Sequence, residues 1–116
     1  MNKRTIGAYY EQKAIEYLKS IGYRIIETNY RCHLGEIDII GKDKEYLAFI
    51  EVKYRKKESQ GYPYEAVNYV KQRKISKVAS HYIITHKKAF DYPCRFDVIS
   101  IFDKEIELFK NAFDYI

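Results

Sequence analysis

Two rhythms of apolar and polar positions run along this chain. From Thr5 to Ile21, residues Ala8, Ala14, Ile15, Leu18 and Ile21 recur near a 3.6-residue period. That spacing predicts an amphipathic helix with Thr5 as its N-cap. Gly22 stands where helices commonly end on a glycine. Glu11 shares the stripe of Gly7, Ala14, Ile15 and Leu18, so the pattern puts a carboxylate on the buried face. A lone carboxylate there costs free energy unless something pairs with it or binds it.

The period then shortens. Tyr23 to Cys32 predicts a strand, Gly35 a turn, Glu36 to Ile40 a second strand, Gly41 to Lys44 a polar hairpin loop, and Tyr46 to Arg55 a third strand. Lys56 to Pro63 reads as a polar loop. A second helix follows over Glu65 to His86, with Val67, Val70, Ile75, Val78, Ala79 and Tyr82 along its apolar side. Pro93 opens a strand from Arg95 to Phe102, and Glu105 to Phe109 forms a last short one. The order α-β-β-β-α-β-β predicts an α/β fold, a mixed sheet with helices packed on it. No repeat, linker or low-complexity stretch divides the chain, so residues 1–116 are read as a single domain.

Strand alternation carries the first chemical signal. Side chains two apart share a face, so Glu36, Asp38 and Ile40 lie together, opposite Ile37 and Ile39. In the third strand Phe49, Glu51, Lys53 and Arg55 share one face, and Ile50, Val52 and Tyr54 the other. A hairpin between these strands lets Asp38 face Glu51, with Lys53 two positions on. Two bare carboxylates about 4 Å apart repel by roughly 4 kcal/mol at an effective dielectric of 20. A divalent cation reverses that sign, and Mg²⁺ typically takes one or two carboxylates and keeps several waters. Such an ion polarises a phosphodiester and activates water, while a neighbouring lysine stabilises developing charge. An ordinary surface hairpin would carry acid–lysine pairs worth only about 0.2–1 kcal/mol. Three features weigh against it: the strands are bordered by apolar residues, Glu11 points a third acid toward the sheet, and two basic clusters follow.

Those clusters are Lys53, Arg55, Lys56 and Lys57, and then Lys71, Arg73, Lys74 and Lys77. The whole chain carries a net charge of +5, which favours an anionic partner, nucleic acid first. Arg31, Tyr54, Arg55 and Lys56 border the expected site. Lys71, Arg73 and Lys74 on the second helix are further candidates for phosphate contacts. The 13 tyrosines suit half-buried packing and, at a few positions, base stacking.

Other chemistries find no foothold. Cys32 and Cys94 make no CxxC pair and no zinc pattern, and a disulfide between them stays open. His33, His81 and His86 lack metal-ligand spacing and read as surface or packing residues. Arg95 and Asp97 alternate on one strand and read as a structural pair. No Walker loop, dinucleotide motif or nucleophile motif is present. Neither a signal-peptide stretch nor a membrane-spanning window is found, so a cytoplasmic, reduced protein with no membrane partner is expected.

At this point a resemblance adds to the pattern. The sequence Asp38…Glu51-Val52-Lys53 resembles the PD-(D/E)xK signature of restriction-endonuclease-like nucleases. Gly7…Glu11…Ala14, Gly35-Glu36-Ile37-Asp38, Phe49-Ile50-Glu51-Val52-Lys53-Tyr54-Arg55, Gly61-Tyr62-Pro63 and Arg95-Phe96-Asp97 resemble the YraN-like uncharacterised proteins. These are related in pattern to archaeal Holliday-junction resolvases. The resemblance covers nearly the whole chain, although Ile37 stands where the signature has proline. It implies Asp38 and Glu51 as ligands of Mg²⁺ or Mn²⁺, joined by the Val52 carbonyl, with Lys53 as the catalytic lysine and Glu11 as the helix acid. It also implies a metal-dependent nuclease acting on DNA, branched or otherwise structured. A homodimer would suit cutting two strands, but no residue marks an interface. The alternative readings are a non-catalytic nucleic-acid binder that keeps the fold, and a partner-binding domain whose basic surface is incidental.

Overall fold

The computed structural model describes residues 2–55 and 67–116. The expected loop at 56–63, with Lys56, lies outside the described residues. Helix α1 spans Lys3–Ser20 and is followed by strands β1 (Arg24–Cys32), β2 (Gly35–Asp43) and β3 (Tyr46–Arg55). Helix α2 spans Tyr69–Thr85, a 3-10 turn covers Lys87–Asp91, and strands β4 (Cys94–Phe102) and β5 (Glu105–Phe113) complete the chain. The sheet runs β1-β2-β3-β4-β5. Only β3 and β4 are parallel, and α2 lies in the connection between them. This is the mixed α/β fold and the element order that the periodicities predict.

The helix ends differ from expectation in detail. Asn2, not Thr5, caps α1: its side chain accepts from the Thr5 backbone N–H (2.9 Å) and from the Thr5 hydroxyl. Thr5 thus sits at the third helical position. At the other end Tyr23 N–H donates to Leu18 O and Gly22 N–H to Lys19 O, with Gly22 at φ +99°. That is the double bond pattern of a glycine-terminated helix. In α2 the cap is Asn68, which accepts from Lys71 N–H, so the helix starts at Tyr69 and not at Glu65.

Strand β3 has the predicted bounds, but β2 runs longer than predicted. β2 continues to Asp43, which pairs with Tyr46 around a two-residue turn at Lys44 and Glu45. Lys44 adopts φ +55° there. β5 likewise extends to Phe113, past the predicted Phe109. Between Phe96↔Phe113 and Val98↔Phe109 a bulge opposes Asp97 to three β5 residues, and Asn111 takes φ +55° at its centre.

Each face of the sheet has its own core. Ala14 and Leu18 of α1 pack on Tyr23, Ile39, Ala48, Ile50, Ile99 and Ile101. Ile75, Val78, Ala79 and Tyr82 of α2 pack on Ile37, Ile40, Phe49, Phe96 and Val98 on the other side. Burying such side chains contributes roughly 1.5–3 kcal/mol each. Three residues expected on apolar helix faces are exposed instead: Ala8, Ile21 and Val70. Val70 turns outward because it shares the solvent-facing stripe of Arg73, Lys74 and Lys77.

One alternation fails, and it bears on the site. Ile37 packs with the α2-side core while Ile39 packs with the α1-side core, although they were expected on one face. The β2–β3 ladder starts only at Ile39↔Ile50, so from Gly35 to Asp38 the strand is held by β1 alone. That stretch is free to turn out of the plane of the central sheet.

Candidate active site

The turn in β2 places Asp38 at the point where the ladder with β3 stops. One step beyond the Ile39↔Ile50 pair come Asp38 and Glu51, as the 13-residue separation predicts. The Val52 backbone N–H donates to Asp38 Oδ2 at 2.8 Å, so the carboxylate takes over a main-chain donor that β2 itself no longer reaches. This fixes one oxygen of the side chain. Glu51 is buried at 6% exposure, on the α2 side with Phe49. Lys53 Nζ lies 3.8 Å from Glu51 Oε1, and Lys71 Nζ lies 3.7 Å from the same oxygen.

Lys71 stands apart from its neighbours here. Sequence pattern grouped it with Arg73 and Lys74 as a candidate phosphate contact. The structure brings Lys71 to Glu51 and turns Arg73 and Lys74 to an outer face with Tyr69, Val70 and Lys77. Helical spacing sets this division: Lys71 continues the buried stripe of Ile75, Val78 and Tyr82, one turn nearer the N-terminus.

From the opposite side of the sheet α1 delivers Glu11. Its Oε1 is buried without a hydrogen-bond partner, while the Asn29 side chain donates to the carboxylate. Asn29 adopts φ 52°, which suits asparagine better than most residues. Burial and the nearby Asp38 charge raise the Glu11 pKa. Glu11 also lines an open cleft of about 640 Å³ with Arg4, Gly7, Asn29, Arg31 and Glu36. Arg31 is held by Glu36 at 2.7 Å, though its side chain remains largely exposed. Beyond the site Tyr54 stacks on Tyr10 (ring centroids 4.5 Å apart, planes 8° apart) and Arg55 lies over Phe102. Arg31 shares the cleft of Glu11, while Tyr54 and Arg55 line a separate cleft with Tyr9, Tyr10 and Phe102.

The acids hold one another up the pH scale. Burial and the Asp38 charge push Glu51 up to about 7, against the pull of Lys71 and Lys53. Burial raises Asp38 too, and the Val52 N–H opposes it. Asp38 and Glu51, neighbouring hard oxygen donors that raise each other's cost of ionisation, are the donor type that a cation such as Mg²⁺ or Mn²⁺ takes, with Glu11 near enough to feel the Asp38 charge.

This strain should be measurable. The folded, cation-free protein keeps a proton on Glu51 that the unfolded chain releases nearer 4.5. The folded state is therefore penalised increasingly as pH rises from 4.5 to about 7, and fully above it. Glu51→Gln should stabilise the chelator-treated protein by about 2 kcal/mol at pH 8. The gain should shrink as pH falls. Urea unfolding of both proteins at several pH values checks this, and a destabilised variant at pH 8 would contradict it.

Residues 10–101 match the model of the family described as Uncharacterised protein family UPF0102. The chain belongs to this family. A UPF0102 protein of Lachnoclostridium phytofermentans is 46% identical over 114 residues, covering 98% of this chain and 97% of the relative. One from Thermodesulfovibrio yellowstonii is 49% identical over 113 residues, covering 97% and 99%. A third, from Caldicellulosiruptor saccharolyticus, is 44% identical over 119 residues, covering 97% and 100%. The matched span contains Glu11, Asp38, Glu51, Lys53 and Lys71, so every member of the acid cluster falls within the family region. Among the described residues, no helix is long and apolar enough to cross a membrane.

Proposed function

We propose that this UPF0102 protein is a metal-dependent nuclease of the restriction-endonuclease-like type, acting on DNA with Mg²⁺ or Mn²⁺. The reading is carried by one observation: Asp38 meets Glu51 and two lysines on one side and Glu11 on the other, at the point where two strands part. Bound there, the cation would supply Lewis-acid activation of a phosphodiester and of water. Asp38 and Glu51 would hold it, and Glu11, near enough to feel the Asp38 charge, would complete the acidic pocket. Val52 keeps Asp38 oriented through its N–H. Lys53, a third exposed, is placed to orient the attacking water or to stabilise charge on the phosphate oxygens. Water adds to phosphorus, the bond to the leaving sugar oxygen breaks, and the water proton passes to solvent or to that oxygen.

Lys71 steadies Glu51, and its ammonium would also be placed to meet a phosphate oxygen beside the acids. The cleft beside Glu11 is open, and Arg4 and Arg31 line it, which suits a strand that bends away from a duplex. Branched or structured DNA is thus favoured over a straight duplex.

The test is a cleavage panel of four-way junctions, flaps, duplexes, single strands and RNA, with Mg²⁺, with Mn²⁺ and with chelator. Metal-dependent cutting of a branched DNA is the expected result. Salt-sensitive binding with no cutting under any metal would instead identify a non-catalytic nucleic-acid binder. In either case, replacing Arg73 and Lys74 by glutamate should reduce DNA binding several-fold and flatten its salt dependence, because both point outward. Unchanged binding would remove this helix face from the DNA contact.

A further inference from the structure

We propose that Cys32, His33 and His81 form a second metal site, for Zn²⁺, separate from the carboxylate site. One donor atom from each of the three side chains lies within 4.8 Å of the other two. Cys32 ends β1, His33 begins the turn after it, and His81 stands in the middle of α2. The two imidazole rings meet edge to face, with centroids 5.6 Å apart. Thiolate and imidazole donors suit zinc and not Mg²⁺, which prefers oxygen.

The geometry needs little adjustment. Zinc bonds sulfur at about 2.3 Å and imidazole nitrogen at about 2.0–2.1 Å, so tetrahedral donors sit roughly 3.3–3.7 Å apart. Closing to that distance takes a side-chain shift on the order of 1 Å, and the exposed His33 turn can provide it. His81 is already held: the Tyr30 hydroxyl lies 2.7 Å from its Nδ1, and Tyr30 is itself buried. With Nδ1–H as donor, Nε2 presents its lone pair, and such an outer hydrogen bond is what metal-bound histidines ordinarily have. Binding would release the Cys32 thiol proton to solvent. Three protein donors leave one tetrahedral position, which water fills.

The two sites are apart in space and in chemistry. His81 lies ten residues along α2 from Lys71, roughly 15 Å of helix. A metal here would pin the β1–β2 turn to α2. Out of that turn comes the stretch of β2, held by β1 alone, that carries Glu36 and Asp38. Zinc would therefore fix the strand bearing Asp38 relative to the helix bearing Lys71.

The experiment uses the full chain stripped with chelator, then titrated with Zn²⁺ against a chromogenic chelator and, separately, with Co²⁺. One Co²⁺ should give a thiolate charge-transfer band, and Zn²⁺ should raise the melting temperature. Cys32→Ser should remove the band. Cys32→Ser and His33→Ala should each weaken zinc binding at least tenfold and abolish the thermal shift. His33 is exposed, so its loss leaves the fold intact. The Asp38→Asn/Glu51→Gln double variant should keep the band and the affinity. An absent thiolate band in the unaltered protein, undiminished affinity in both single variants, or loss of the band in the double variant would each overturn the proposal. The nuclease reading does not depend on the outcome.

Discussion

Asp38→Asn should lower the rate of metal-dependent cleavage by at least a thousandfold, and Lys53→Met by a hundredfold or more, on the scale of removing a pre-positioned charge-stabilising group. The two losses should differ in kind. Asp38 is anchored by Val52 N–H and would hold the cation with Glu51, so its amide should bind Mn²⁺ weakly. Lys53 approaches Glu51 at 3.8 Å and, as an ammonium, carries no metal-ligand chemistry. Removing it takes one positive charge from beside a group already pushed up to about 7 by burial and Asp38. Metal binding in Lys53→Met should therefore persist, and be no weaker than in the parent once pH is above 8. Isothermal titration with Mn²⁺ beside single-turnover cleavage separates these effects. Cleavage that survives both changes would mean that the acids do not form a catalytic centre.

The parts of this site that were legible in the sequence share one property: they depend on local period. Asp38, Glu51 and Lys53 follow from alternation and a hairpin register, which need only neighbouring strands. Glu11 was singled out because a carboxylate stood on an apolar helical stripe, and one of its oxygens is buried without a hydrogen-bond partner. The Arg95–Asp97 pair, two residues apart on one strand, also stands as read, at 2.8 Å.

What sequence did not reveal depends on where elements begin or on contacts between distant ones. Lys71 reaches Glu51 because it continues the Ile75–Val78–Tyr82 stripe of α2 onto the sheet, and the contact needs β3 opposite that helix. Cys32, His33 and His81 have no ligand spacing because the fold draws them from a strand, a turn and a helix. Ile37 and Ile39 part company because β2 leaves β3 between them, and alternation presumes a strand paired throughout. The tyrosines divide the same way: Tyr23, Tyr30 and Tyr82 are core, Tyr10 and Tyr54 stack on each other, and Tyr69 and Tyr115 stay exposed.

The largest effect on stability should come from a residue outside the site. Asp97 is fully buried, and all its capacity is used. Its Oδ1 accepts from Arg95 Nε (2.8 Å) and from the Asn111 backbone N–H (3.0 Å), and its Oδ2 accepts from the Tyr23 hydroxyl (2.9 Å) and Arg95 Nη2 (3.0 Å). Arg95 in turn reaches Asp43 at 2.9 Å, where Lys110 also arrives. The network thus joins the β2–β3 turn, the start of β4 and the β5 bulge. Asp97→Ala leaves a largely buried guanidinium short of its main partner and frees the Asn111 N–H, at a cost of about 3–5 kcal/mol. Domains of this size hold only about 5–15 kcal/mol in total, so the urea midpoint should fall sharply. A second change, Arg95→Met, should recover part of the loss, because the unpaired charge goes with it. Equal instability in the single and double variants would place the cost in the bulge, not in the stranded charge. Asp97 pairs along the ladder with Ile50, on the turn side of Glu51, so it should leave cleavage by the folded fraction unchanged. That separates a residue that holds the sheet together from the acids that strain it.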